Sequence, residues 1–179
     1  MEEPEPALIR AAAAGDLAAF EQLVRAFQEP VWRFLRRLLG DAGAAEDVAQ
    51  EAFLRVFRRL PTFSFEAKFS TWVFQIARNA GVDELRSRRR RIRLASLSPP
   101  PRPSAAVPEA IAEIDAALAS LPVDLREAML LVEVLGLRYR EVARVLGVPE
   151  GTVKSRVFSA RCRLRRWSTA DDERASGEV

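Results

Sequence analysis

The stretch SLSPPPRPSAAVP, from Ser96 to Pro108, constrains the fold of this chain more than any other feature. It holds five of the chain's 11 prolines, with Pro99, Pro100 and Pro101 in a row. Proline lacks a backbone N–H and fixes φ, so such a run enters neither a helix interior nor a central strand and favours extended polyproline II. It cuts the 179 residues into two small domains, within 1–93 and 108–167, joined by a flexible linker over 94–107 and followed by a tail at 168–179 that is expected to be disordered. Roughly 14 linker residues at about 3.1 Å each reach about 43 Å, more than the roughly 34–36 Å of one duplex DNA turn.

Both domains are expected to be all-α. Apolar residues recur at three and four positions, and strand alternation is scarce. Ala18, Phe20, Leu23, Val24 and Phe27 mark a first helix with Asp16 as N-cap. Pro30 is read as opening a second, through Val31, Phe34, Leu35 and Leu38, which Gly40 stops. A third runs from about Ala44 to Leu60 and ends at Pro61. The loop from Thr62 to Ser70 is rich in phenylalanine, and a long helix then runs to about Arg91. Beyond the linker, helices are expected near Pro108–Ser120, Val123–Leu135, Arg138–Leu146 and Pro149–Trp167.

Composition removes several function classes. There is no histidine, which excludes Ser-His and Cys-His catalysis and histidine metal sites. Cys162 is the one cysteine, so an intrachain disulfide, a zinc finger and an iron–sulfur cluster are excluded and no cofactor is expected. No apolar run approaches the roughly 20 residues of a membrane span. The N-terminus, MEEPEP, is acidic where a signal peptide is basic. The expectation is a cytoplasmic protein that does not insert into a membrane.

The net charge of +3 hides segregation: residues 1–54 carry −5, 55–93 carry +8, 94–137 carry −4, 138–167 carry +7 and 168–179 carry −3. Of the 28 basic residues only Lys68 and Lys154 are lysine. The planar arginine fork suits phosphate. The two basic blocks fit nucleic acid, and they equally fit two solvated faces.

Between Arg138 and Arg166, Ala143, Gly147 and Val153 stand at helix-turn-helix spacing. At about 100° per residue, with Val153 at the origin, Val157, Ala160 and Leu164 fall within roughly 40° of it. Lys154, Phe158, Cys162 and Arg165 fall on the opposite side, with Ser155 beside them. Phe158 is therefore expected to be exposed. One reading is apolar contact with a thymine methyl in the major groove, flanked by Lys154 and Ser155; the other is a wider core or a domain contact. Arg156, Arg161, Arg163 and Arg166 would then sit toward phosphates.

In the N-terminal domain, Val73, Ile76, Ala77 and Ala80 share the buried side of the long helix, with Trp72 and Phe74 on its flanks. Gln75, Asn79 and Arg86 line a polar face. Ahead of it lie Phe63, Phe65, Lys68 and Phe69; behind it runs Arg86-Ser87-Arg88-Arg89-Arg90-Arg91. Aromatics interleaved with basic residues suit unstacked bases, each stack contributing about 1–3 kcal/mol, although aromatics at a helix start also serve as core. Glu46, Asp47 and Glu51, with Gln50 between them, open the third helix. The helix dipole alone accounts for such acids, and a basic protein partner is the alternative.

These motifs, in this order and across a linker, resemble the extracytoplasmic-function (ECF) sigma factors of bacterial RNA polymerase. AEDVAQEAFLRVFRRL at 45–60 and KFSTWVFQIARNAGVDELRSRRRR at 68–91 are similar to the family's region two. LPVDLREAMLLVEVLGLRYREVARVLGVPEGTVKSRVFSARCRLR at 121–165 is similar to its region four. The resemblance implies a region-two helical bundle and a region-four helix-turn-helix. It implies that Asp47, Gln50, Glu51 and Phe53 grip the core polymerase. It implies that Phe65, Lys68, Phe69, Trp72, Gln75, Asn79, Asp83 and Arg86 recognise and melt the minus-ten element. Thr152, Lys154, Ser155, Arg156, Phe158, Ser159, Arg161 and Arg163 would meet the minus-thirty-five element. Expected partners are core RNA polymerase, promoter DNA and an anti-sigma factor, with no reaction catalysed by the chain itself. Arg138, where a small polar residue is common, and Pro149, where serine commonly caps the recognition helix, depart from the pattern. Two other classes compete: a regulator whose helix-turn-helix acts alone, and a nucleic-acid-processing enzyme. The first needs a sensor or dimerisation domain, and the second a paired-acid metal site.

Overall fold

Capping chemistry sets the boundaries of the N-terminal helices. In the computed structural model, which describes residues 2–94 and 109–176, helix α1 (Pro6–Ala13) starts on a proline and packs Ile9 and Ala12 inward. The sequence reading had no helix there, because a run of alanines carries no large apolar stripe. Asp16 accepts from the Ala18 and Ala19 N–H groups and opens α2 (Leu17–Leu39), which Gly40 closes in the left-handed region at φ 69°.

Pro30 does not begin a new helix; α2 runs through it. The buried residues Leu23, Phe27, Val31, Phe34, Leu35 and Leu38 form one continuous stripe on both sides of the proline. Burying that stripe offsets the one backbone hydrogen bond that proline removes. Asp41 caps α3 (Ala42–Arg59) at the Ala44 N–H, and the chain then turns through a short 3₁₀ segment, Leu60–Thr62. Helix α4 (Phe69–Leu94) crosses α2 at Gly81. A Cβ there would lie 2.8 Å from Leu38 Cδ2 and 2.9 Å from Leu35 Cδ2, so the close approach needs glycine. Phe27, Phe34, Phe69 and Phe74 fill the centre of this bundle, with Phe27 edge-on to Phe69 and Phe34 edge-on to Phe74.

The second unit is described from Glu109 onward, and the expected linker over 94–107 lies outside the described residues apart from Leu94. It comprises α5 (Glu109–Ser120), α6 (Val123–Met129), α7 (Tyr139–Leu146) and α8 (Glu150–Ser176). The helix expected over Val123–Leu135 changes at Leu130 into a π turn, closed by the Leu135 N–H on the Leu130 carbonyl. Leu125, Ala128, Leu130, Leu131, Val142, Val145, Val153, Val157 and Ala160 form its core. Helix α8 passes the expected end at Trp167 and continues to Ser176, so most of the tail expected to be disordered is helical. Neither glycine nor proline stands between Thr152 and Ser176, which leaves nothing to break the helix. Among the described residues there is no strand, in keeping with the all-α expectation.

Candidate nucleic-acid interface

Four aromatic rings meet at the start of α4. Phe63 lies 4.8 Å from Phe65, 5.5 Å from Phe69 and 5.2 Å from Trp72, centroid to centroid. The cluster is graded in depth. Phe69 is 2% exposed and packs on Phe27, so it departs from its expected place at the DNA: it is the floor of the cluster, closed to a base. Phe74, expected on a flank, is fully buried. Phe63 and Trp72 are half-buried, and Phe65 is 42% exposed. Phe65 also has φ 59°, among the described residues the one positive value outside glycine. Holding a bulky side chain in that region costs of order 1–3 kcal/mol and needs support from its surroundings. Lys68, Gln75, Asn79 and Arg86 are exposed around the cluster and along α4.

Asp83 is not a free reader on that face. Its carboxylate accepts from Arg55 at 3.3 Å and lies 3.8 Å from Arg86. Arg55 also donates to Glu51 at 2.8 Å, so an ionic chain crosses from α3 to α4 through Glu51, Arg55, Asp83 and Arg86. The hydrogen bond from Arg55 holds the Glu51 carboxyl below its ordinary value, and the bond to Glu51 holds Arg55 above its own. A cleft of about 310 Å³ opens beside this chain, with Arg55, Arg59, Arg78 and Arg86 around Asn79 and Asp83. Sequence reasoning missed Arg55, Arg59 and Arg78 as members of this cleft. Arg55 stands four residues after Glu51 and Arg59 eight, and Arg78 stands three after Gln75 beside the α4 polar face; that spacing was the signal available.

Elsewhere along α3, Asp47 and Gln50 are exposed, and Phe53, like Glu51 of the ionic chain, is half-buried. Gln50 and Phe53 line a groove of about 960 Å³ between α2 and α3, together with Trp32, Leu54 and Phe57. Leu54 is 51% exposed and Phe57 40%. Both lie off the buried stripe of Ala45, Ala49, Ala52 and Val56, and that phase alone marks them as a second apolar face.

The second unit holds a helix-turn-helix. The carboxylate of Glu141 accepts the Arg138 N–H at the start of α7, and Gly147 ends it at φ 67° with its N–H on the Ala143 carbonyl. The Pro149 carbonyl receives the Thr152 and Val153 N–H groups at the start of α8. Val153, Val157 and Ala160 are buried, as their phase requires, while Leu164 is half-buried. Phe158 is 66% exposed, which removes the wider-core reading within this unit. Lys154, Ser155 and Arg163 are exposed with it, and Thr152, Ser159 and Cys162 are half-buried. Lys154 pairs with Glu150 at 2.9 Å and lies over the Tyr139 ring.

Two arginines expected at phosphates are paired with acids of their own unit. Arg156 lies 3.6 Å from Asp124 and 3.8 Å from Glu127, which is 1% exposed; it ties α8 to α6. Arg161 is exposed and hydrogen-bonds Glu133, which holds its guanidinium above the ordinary value. A helix phase computed from one segment cannot see acids contributed by another.

Residues 23–91 match the family description Sigma-70 region 2, and residues 111–164 match Sigma-70, region 4. The ECF RNA polymerase sigma factor SigC of Mycobacterium tuberculosis is 38% identical over 179 residues, covering 96% of this chain and 95% of its own. The chain belongs to the ECF sigma factors of the sigma-70 family. Two solved members have similar folds. CnrH, determined with the cytosolic domain of CnrY, has a TM-score of 0.73 at 27% identity, covering 92% of this chain and 97% of its own. The sigma factor RpoE of Bartonella quintana, determined with the anti-sigma factor NepR, has a TM-score of 0.73 at 27% identity, covering 85% and 98%. In this sigma factor the region-2 match starts inside α2, so α1 precedes it. Among the described residues no helix is long and apolar enough to cross a membrane.

Proposed function

We propose that this ECF sigma factor divides promoter recognition between its two units and docks on core RNA polymerase through α3. The observation that carries the reading is a pair of DNA-suited surfaces in one chain. One is the half-open aromatic cluster at the head of α4; the other is exposed Phe158 on the face of a helix-turn-helix. In this reading Lys154, Ser155 and Phe158 face the minus-thirty-five element, with Thr152, Ser159 and Arg163 at the edges. Phe65, Lys68, Trp72, Gln75, Asn79 and Arg86 face the minus-ten element. Phe69 supports the cluster from beneath, Asp83 sets the pose of Arg86, and Arg156 holds α8 in register.

Extruding a base costs a few kcal/mol, and stacking on an aromatic returns about 1–3 kcal/mol per base. Binding therefore shifts a duplex–bubble equilibrium, and the sigma factor opens DNA without catalysing a reaction. Asp47, Gln50, Glu51 and Phe53, with the apolar groove beside them, form the surface offered to the polymerase. An anti-sigma factor is the expected regulator, by analogy with the NepR complex of RpoE. The site of action is the cytoplasm, where the polymerase and the chromosome are.

Reversing Asp47 to lysine tests the docking surface, since Asp47 is exposed and outside the ionic chain of Glu51. Competition with wild type for core polymerase should fall about tenfold or more, while the minus-thirty-five duplex is bound as before. Equal competition by the variant would remove α3 from the polymerase interface.

A further inference from the structure

We propose that Arg10, on α1, is a positioning residue for minus-ten recognition, acting through Phe65. This rests on the reading of the aromatic cluster as the minus-ten reader. The Arg10 guanidinium carbon lies 5.1 Å from the centroid of the Phe65 ring, over its face. Phe65 is 42% exposed with φ 59°, so packing over part of its surface must hold a conformation that its backbone disfavours. The ring meets Phe63 on one side, at 4.8 Å and tilted by 55°. The cation over its face adds a second constraint on the ring plane.

The same N-terminal segment holds the other end of the loop. The Glu3 carboxylate accepts the Ser70 N–H at 3.1 Å, two residues before Trp72. The segment carrying Glu3 and Arg10 thus pins both ends of residues 65–70 and lies outside the region-2 match, which starts at residue 23. A base stacking on Phe65 needs the ring held at a fixed tilt against Trp72 and Phe63. Arg10 sets that tilt without belonging to the polar face of α4.

The experiment uses the full chain bound to core polymerase, with Arg10→Ala, Arg10→Lys and Phe65→Ala variants. One assay is initiation on a promoter library randomised across the minus-ten element. The other is binding to a fork-junction DNA carrying a single-stranded minus-ten strand, over a series of salt concentrations. Arg10→Ala should weaken fork binding about two- to fivefold, the range expected for an exposed cation–π pair, and flatten base preference at one position. Phe65→Ala should flatten the same position, and Arg10→Lys, which keeps a cation over the ring, should restore it. The salt slope should match wild type.

A slope lower by about 0.7 would make Arg10 a phosphate ligand and overturn the positioning role. Wild-type preference in Arg10→Ala, beside a flattened Phe65→Ala, overturns the proposal alone. Wild-type preference in Phe65→Ala overturns the reading beneath it as well. Arg10 is exposed, so the variant is expected to fold, and an unchanged melting temperature checks this.

Discussion

Truncating Phe158 to alanine separates a reading residue from a core residue, because the two roles move different quantities. With the residue 66% exposed, about a third of the side chain is packed. Full burial of a phenylalanine contributes about 1.5–3 kcal/mol, so folding should lose only about 0.5–1 kcal/mol. The DNA side is larger. A phenylalanine presents on the order of 150–250 Å², of which roughly 100–165 Å² is open here. If half of that meets the groove wall, at about 25 cal/mol per Å² the contact contributes about 1.3–2 kcal/mol, or roughly 10- to 30-fold in affinity. Anisotropy on a labelled minus-thirty-five duplex reads the affinity, and calorimetric unfolding of the same protein reads the stability. Unchanged affinity would refute the assignment of this face. A loss above about 2 kcal/mol in folding would show that Phe158 belongs to a core that its exposure does not reveal.

Replacing Glu127 by alanine removes a carboxylate that is 1% exposed and leaves Arg156 with Asp124 alone. The second unit should lose about 2–4 kcal/mol, read by denaturant unfolding, whereas Arg163→Ala should leave stability within about 0.5 kcal/mol. Glu84 contributes a pH-dependent share of stability through ion pairs with Arg88 and Arg91 along α4. Burial pushes its carboxyl up, but hydrogen bonds from Arg88 and Arg91 outweigh that and hold it below 4.5. A depressed folded-state value means that this contribution is complete above the unfolded pKa and is lost as pH falls through the folded one. Glu84→Gln should therefore lower stability near pH 7 and shrink the acid-induced loss below about pH 4.5, measured as melting temperature against pH.

Where one helix carried the whole signal, the sequence was sufficient. Asp16 and Gly40 sit where capping requires, whereas α3, expected from about Ala44, starts at Ala42 behind Asp41, a cap the sequence reading did not name. The α8 stripe of Val153, Val157 and Ala160 is enough to place Phe158 outward, where it is 66% exposed. The errors came from signals that lie between helices. Pro30 reads as a start until Phe27 and Val31 are seen to share one buried stripe, and the tertiary burial overrides the local rule. Phe69 and Phe74 looked like DNA-facing or flanking aromatics because nothing local reveals Phe27 and Phe34 waiting on α2. Arg156 has the same sequence character as Arg163, and only Asp124 and Glu127, about 30 residues away, tell them apart. The groove beside Phe53 and the hold of Arg10 on Phe65 join residues from different helices and left no periodic trace.

The account is tested most directly by reconstituting the purified chain with sigma-free core polymerase and mapping transcript starts on a pool of genomic fragments. The predicted result is initiation at a defined set of starts that share two upstream elements, with Phe158→Ala reducing use of the upstream one and Phe65→Ala that of the downstream one. Transcripts no more specific than those of core polymerase alone would contradict it.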